Sequence, residues 1–388
     1  MKRKTLGTIL LPVLAVAGLV SIVALKNDIK KHNNFNTPDA DNAGLTVPAG
    51  FSAAIIADNL GGVRHIAVTP QNEIYAKLRG LEKGKGILLL HQNGNKAEVK
   101  MAFGNFAGTG IAVKSGYLYA SSDEEVFRFK LNAKNEVIDP NKPEKIVTGL
   151  LSRGEHEAKA ITLDNAGHLY VNIGAYSNAC QVKDRTKGSP GQKGCPILDS
   201  AGGIWQFSAS KLNQHYGDGV RYATGLRNVV GLDWNTQDNQ LFVMQHGRDQ
   251  LYDWRDKLGL DSAAAQRYNA ENPAEELMQV KQGDDFGWPY CYYAIDQKHL
   301  VLAPEYGGNG KQVGQCAQKK APVATFPAHW APNALMFYTG SQFPARYRNG
   351  AFIAFHGSWN RAPEPQAGYN VVFQPLTAAG KAAGVTER

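Results

Sequence analysis

The sequence lacks the signatures of several common enzyme classes. No Gly-x-Gly-x-x-Gly follows a strand-like run, which argues against a nicotinamide dinucleotide site. No Cys-x-x-Cys-His is present, so no haem is attached covalently. No Gly-x-Ser-x-Gly nucleophile elbow occurs. Charge of one sign is not concentrated either. The net charge is +8, from 42 Lys and Arg against 34 Asp and Glu. Lys2, Arg3, Lys4 and Lys26 alone flank the N-terminal apolar segment, and the remaining excess is spread along the chain. That distribution excludes the basic stripe of a nucleic-acid binder. Cysteine is scarce, at four residues, and neither sequential pair has metal-ligand spacing.

What is present is globular. The chain has 388 residues, 43% hydrophobic and 20% charged. That length suits one large or two ordinary domains. Glycine is high at 41 residues and aromatics reach 10%, a composition that favours tight turns between strands. Residues 1–26 read as a signal peptide or an N-terminal membrane anchor. Lys2-Arg3-Lys4 precedes an uncharged, mostly apolar run over residues 5–25, long enough to span a bilayer. The basic end stays inside, and the body is expected in the periplasm or another extracytoplasmic space, anchored to the inner membrane if the segment is retained. Residues 27–45 read as a flexible tether, and residues 46–388 as the folded domain. Export makes disulfides the expected state of the cysteines. Of three connectivities, local pairing is the choice: Cys180 with Cys195 and Cys291 with Cys316, each closing a Gly-containing loop.

A strand–turn–strand unit recurs. Apolar runs at 65–68, 110–113, 160–163, 231–234 and 334–337 are each followed by a second apolar-aromatic run, at 73–76, 117–120, 165–171, 240–243 and 351–354. Each unit is too small to bury its own apolar face, so the units must stack. Radial stacking of small antiparallel sheets gives an all-β propeller. A two-sheet sandwich is the alternative, but spacings of about 45 to 105 residues suit four-stranded blades better. Residues 51–57 read as an outer strand of a further, incomplete blade.

The polar residues at the ends of these runs are the candidates for chemistry. His156, in Arg153-Gly154-Glu155-His156-Glu157, enters the third unit. A neutral imidazole there is poised to take a proton near pH 7, with Glu155 or Glu157 to orient it. On the residues alone, a surface-loop histidine among charged neighbours is the commoner reading. Arg227 and Asn228 follow the Gly225-Leu226 turn, and a guanidinium suits a carboxylate or a developing oxyanion. Gln245-His246-Gly247 ends the next strand, Glu275-Glu276 begins another, and Gly283-Asp284-Asp285-Phe286-Gly287-Trp288-Pro289 reads as a tight structural turn. The charged, aromatic stretch 252–272 could wall a pocket.

These motifs, with His356-Gly357-Ser358-Trp359-Asn360-Arg361, resemble the glucose/sorbosone dehydrogenase family. Its members are soluble quinoprotein sugar dehydrogenases that use pyrroloquinoline quinone (PQQ). The resemblance extends over about residues 46–375 and is most specific at 225–289. It implies a six-bladed β-propeller whose last blade is incomplete here, because relatives carry a further unit beyond the equivalent of Arg388. It implies oxidation of an aldose or a related sorbosone- or glucose-like sugar by hydride transfer to PQQ. His156 would be the general base, with Glu155 beside it, and Arg227 and Glu275 would complete the catalytic set. Arg227, Asn228 and Gln245 would hold the cofactor, with Arg361 and His329 as weaker members and Asn105 weaker still. The main-chain carbonyls of His246 and Gly247 would ligate Ca2+, although relatives carry Gly-Pro where this chain has His-Gly. A quinone or a cytochrome would accept the electrons. The alternatives are a calcium-dependent, lactonase-type propeller hydrolase and a non-catalytic propeller that binds a carbohydrate or a protein.

Overall fold

The structure, a computed structural model, describes residues 37–388. The expected signal peptide or anchor over 1–26, and the tether up to residue 36, lie outside the described residues. No helix among the described residues is long and apolar enough to cross a membrane. Residues 37–58 belong with 92–98 to a small compact unit, and residues 59–91 with 99–388 form the large one. In the small unit a 3-10 turn spans Asn42–Gly44, and Ala97 N–H donates to the Ile56 carbonyl at 2.7 Å. Residues 51–57, expected as a strand, are in none.

Five sheets of three to five strands carry the fold. Each opens with one of the five units read from the sequence. The opening strands are Val63–Val68, Ile111–Lys114, Ile161–Leu163, Val229–Asn235 and Pro332–Phe337. Each pairs antiparallel with the run that follows it. Apolar faces then pack sheet on sheet. Phe103 and Phe129 join the first sheet to the second, and Val147, Val171 and Trp205 the second to the third. Tyr170 and Val243 join the third to the fourth, and Phe242, Leu277 and Ile353 the fourth to the fifth. The opening strand of each sheet lies against that of the next, and His65 Nε2 meets the Asn333 carbonyl at 2.7 Å between the first and fifth sheets. Together these contacts form a β-propeller. Five blades form among the described residues, where six were expected. The fifth has three strands, and residues 382–387 bridge to its edge instead of adding a fourth.

Three features of this frame position the site. The opening strands of the first, fourth and fifth sheets each carry a bulge near the start, where Arg64, Val230 and Asn333 are the unpaired extra residues. A bulge re-aims a side chain that regular pairing would point elsewhere. The stretch 252–272 is helical, with Ser262–Glu271 capped by Asp261, whose carboxylate accepts from Ala264 N–H at 2.8 Å. Both disulfides form as expected, Cys180 with Cys195 and Cys291 with Cys316.

Candidate active site

His156 lies in the left-handed region at φ 52°, just before the opening strand of the third sheet. Its Nδ1 donates to the Ala175 carbonyl, which leaves Nε2 as the lone-pair nitrogen. Burial, reinforced by the Arg227 guanidinium, lowers its pKa to about 3. The ring is therefore neutral at every ordinary pH, a weaker base than the sequence alone suggests. Gly174 makes room for it: a Cβ there would sit 2.4 Å from the His156 carbonyl oxygen and 2.7 Å from its Cβ. Gly174→Ala should therefore displace the imidazole. A crystal structure of the variant with the ring still bonded to the Ala175 carbonyl would refute that placement.

Neither expected carboxylate touches the ring. Glu155 instead forms a two-pronged pair with Arg185, Nε to Oε1 at 2.7 Å and Nη2 to Oε2 at 3.3 Å. Glu157 accepts from the Ser152 hydroxyl at 2.5 Å and from Gly154 N–H at 2.9 Å. The backbone of residue 175 orients the histidine in their place.

Arg227 is buried and anchors the next layer. Its guanidinium donates to the Gly247 carbonyl at 3.1 Å and to Asp249 Oδ2 at 2.8 Å, and its main-chain N–H donates to Gln245 Oε1 at 2.7 Å. Asp249 was missed by sequence reasoning, although it follows the Gln245-His246-Gly247 motif by two residues. It also accepts from Arg185 at 3.2 Å and from Asn360 Nδ2 at 2.7 Å. Burial alone would raise its pKa, but Arg227 and Arg185 hold it down to about 2. Arg185 comes from the loop closed by Cys180 and Cys195. Asn178, just before that loop, brackets the Asp249 backbone with bonds of 2.9 and 3.1 Å. The Gly225–Asn228 and Gly283–Pro289 motifs interlock for a steric reason: Gly225, at φ 74°, leaves no room for a Cβ beside Asp285 and the Gly287 amide.

Gln245 and the paired glutamates bond to one another and to the main chain, with Glu276 Oε1 left without a partner among the described residues. Gln245 Nε2 donates to Glu276 Oε2 at 2.6 Å. Glu275 accepts main-chain N–H bonds from Gly247 at 2.9 Å and Ala331 at 3.0 Å, tying the fourth sheet to the entry of the fifth. Burial raises Glu275 to about 7 and Glu276 to about 8. Such a group adds stability that is full below the unfolded carboxyl value near 4.5 and is lost as pH rises through the folded value. Glu276→Gln should therefore flatten the fall of Tm between pH 5 and 8. An unchanged Tm–pH slope would contradict the raised value.

The remaining candidates divide. Arg361 donates to three main-chain carbonyls, Pro365, Ala270 and Ala328, and so braces the loop. His329 Nε2 meets the Asn269 carbonyl at 2.7 Å, pinning the helix Ser262–Glu271. Asn105 is exposed and contributes to neither cavity described below. His246 is half-buried, and its desolvation with the Arg227 charge lowers it to about 3; its Nδ1 has no partner among the described residues.

Two cavities result. A small one, about 20 Å³, lies among Arg227, Gln245, Glu276 and Trp288. The larger, about 370 Å³, is lined by His156, Asn228, Glu157, Asp123, Val230, Arg64 and Arg79, among others. The last two of these carried no motif in the sequence. Buried polar atoms without partners mark its neighbourhood: Asn228 Oδ1, Arg64 Nε and Arg227 Nε.

The TrAA12-like family matches residues 45–387. The chain belongs to that family. An uncharacterized protein of Borreliella burgdorferi is 28% identical over 264 residues, covering 65% of this chain and 58% of that protein. The "Pyrroloquinoline quinone-dependent sugar dehydrogenase" of Hypocrea jecorina is 23% identical over 272 residues, covering 65% and 57%. The chain thus spans under three-fifths of the length of these relatives. The solved PQQ domain of pyranose dehydrogenase from Coprinopsis cinerea superposes with a TM-score of 0.67 at 18% identity, over 88% of this chain and 82% of that one. That likeness shows the fold. Within this TrAA12-like propeller, Asn228 and His156 meet at the larger cavity, whereas Gln245 lines the smaller one and Glu275, His329 and Arg361 bond to main-chain groups.

Proposed function

We propose that the chain is a PQQ-dependent dehydrogenase that oxidises an aldose or a related sugar. The observation that carries this reading is the larger cavity. There a histidine with its tautomer fixed by the Ala175 carbonyl stands beside the unpartnered Asn228 oxygen and two arginines. The unpartnered Arg64 Nε donor and the cationic wall fit an anionic, carbonyl-rich group such as PQQ, and the Asn228 oxygen suits a sugar hydroxyl donor. PQQ, when bound, would supply the two-electron acceptor for the sugar's hydride. His156 Nε2 would take the hydroxyl proton, and the Ala175 carbonyl would stabilise the imidazolium. Arg227, fixed by Asp249 and the Gly247 carbonyl, keeps positive charge near His156.

Calcium fits less well. One lone pair of the Gly247 carbonyl is taken by Arg227, and the nearby Asp249 carboxylate is paired with two arginines. No group of three His, Cys, Asp or Glu side chains able to hold a metal occurs among the described residues. Calcium takes six to eight oxygens, so the His246 and Gly247 carbonyls could supply only a minority. We derive no step through it. The two disulfides and the apolar segment 5–25 support an extracytoplasmic site for the enzyme, with a quinone or a cytochrome as electron acceptor.

The test is reconstitution of the purified full chain with PQQ, with and without calcium, followed by dye reduction across a panel of aldoses. Sugar-dependent reduction supports the reading. A folded protein that takes up no PQQ overturns it.

A further inference from the structure

Arg64 and Arg79 enter the reading above only as a cationic wall, yet both face the cavity that holds His156 and Asn228. Arg64 is the extra residue of the bulge in Val63–Val68, where pairing passes from Val63–Leu78 directly to His65–Lys77. Arg79 lies across the same strand pair, its main-chain N–H bonded to the Gly62 carbonyl at 2.9 Å. The bulge therefore turns one guanidinium into the cavity beside a second. Like charges set side by side across a strand pair destabilise a sheet. Here Arg79 is the charge that most disfavours the Arg64 cation, after burial itself.

The charges of the cavity wall do not resolve this pairing. Among the described residues neither guanidinium donates to a carboxylate, and Arg64 Nε is buried without any partner. Asp123 shares the wall and its charge favours the Arg64 cation, but it makes no ion pair with either guanidinium, and its own strongest charge partner is Lys159, with Lys77 also acting on it. Glu157 is satisfied by Ser152 and Gly154. Two adjacent planar cations, unpaired and open to a 370 Å³ cavity, match the fork geometry of a carboxylate.

We infer that Arg64 and Arg79 form a carboxylate-binding subsite of the larger cavity, held ready by the bulge at Arg64. The inference deepens the dehydrogenase reading and rests on it for the identity of the ligand. The carboxylate belongs either to PQQ or to an acidic sugar, and the chemistry of recognition is the same.

The experiment uses the full chain as wild type, Arg64→Gln and Arg79→Gln, each checked for cooperative unfolding. PQQ and, separately, D-glucuronate are titrated by calorimetry at two salt concentrations, with D-glucose as the uncharged control. Each variant should weaken binding of the charged probe roughly ten- to a hundredfold, the effect of losing one charge-assisted contact. Its salt dependence should shrink, while binding of uncharged glucose weakens less than binding of the charged probe. Loss confined to PQQ assigns the subsite to the cofactor, and loss confined to glucuronate assigns it to the substrate. A wild type that takes up glucuronate but not PQQ refutes the dehydrogenase reading and leaves the subsite standing if the variants lose glucuronate. Variants that bind both probes as wild type does, or a wild type that binds neither, overturn the subsite. If Arg64→Gln does not fold, Arg64→Lys, which keeps the charge but loses the fork, makes the comparison.

Discussion

His156→Ala should lower kcat about a hundredfold to ten-thousandfold in the PQQ-loaded protein, the usual effect of removing a positioned general base. PQQ uptake and Tm should change little, because the ring makes one polar contact, to the Ala175 carbonyl. The pH profile supplies an independent check. A base must be neutral to act, so kcat/KM falls only as pH drops towards its pKa. Burial, with Arg227 and His246 as cationic or cation-prone neighbours, places that value at about 3. No acid limb from His156 should therefore appear between pH 5 and 8 in the free holoenzyme. A limb near 6.5 that disappears in the alanine variant would show that bound groups raise the imidazole back to its ordinary value. Full turnover by the variant would remove His156 from the chemistry. Loss of PQQ uptake with it would make the residue a cofactor ligand instead.

The propeller was legible because its signal is local. Each opening strand and its partner are joined by a short turn, and alternation and turn residues mark both, as in 160–163 with 165–171. The outer strands were less so. Val126–Lys130 and Glu144–Thr148 are short, and their register depends on neighbours distant in sequence. The disulfides were readable as local pairs, and the proximity of His156 and Arg227 from their motifs. Asp249, Arg185 and Arg64 were not. A buried network is defined by which strand ends converge, and that is set by the stacking of whole sheets. Arg64 is harder still, since only a bulge turns it inward, and no residue type announces one. The same limit explains why Glu155 and Glu275 were cast as catalytic. Sequence placed them at the right strand ends, but their oxygens are spent on Arg185 and on main-chain N–H groups. Adjacency along the chain signalled proximity to the site, and the hydrogen-bond partners decided the role.

Arg248→Ala should be the most destabilising single change in the frame around the site, at about 3–5 kcal/mol. Arg248 and Glu305 form an ion pair at 2.5 Å, with side-chain exposures of 5% and 0%. Arg248 follows the Gln245-His246-Gly247 strand end, and Glu305 follows the hairpin of Cys291–Ala294 and His299–Leu302. The pair therefore fastens the hairpin, with its disulfide, to the residues that hold Arg227 and Asp249. Truncating the arginine leaves the Glu305 carboxylate buried, with Oε1 already lacking a partner. The penalty comes from that stranded charge more than from the lost attraction, because removing both charges together avoids it. Arg248→Met combined with Glu305→Leu should accordingly recover most of the loss measured by urea unfolding, despite lacking the ion pair altogether. If the double variant were as unstable as the single one, the pair would be contributing by attraction. The geometry of the Asp249 loop would then depend on it directly, and turnover should fall in both variants alike. Recovery of stability with turnover still depressed would separate the two roles, showing that the charge pair sets the position of Asp249 and Arg227 while packing alone can hold the hairpin.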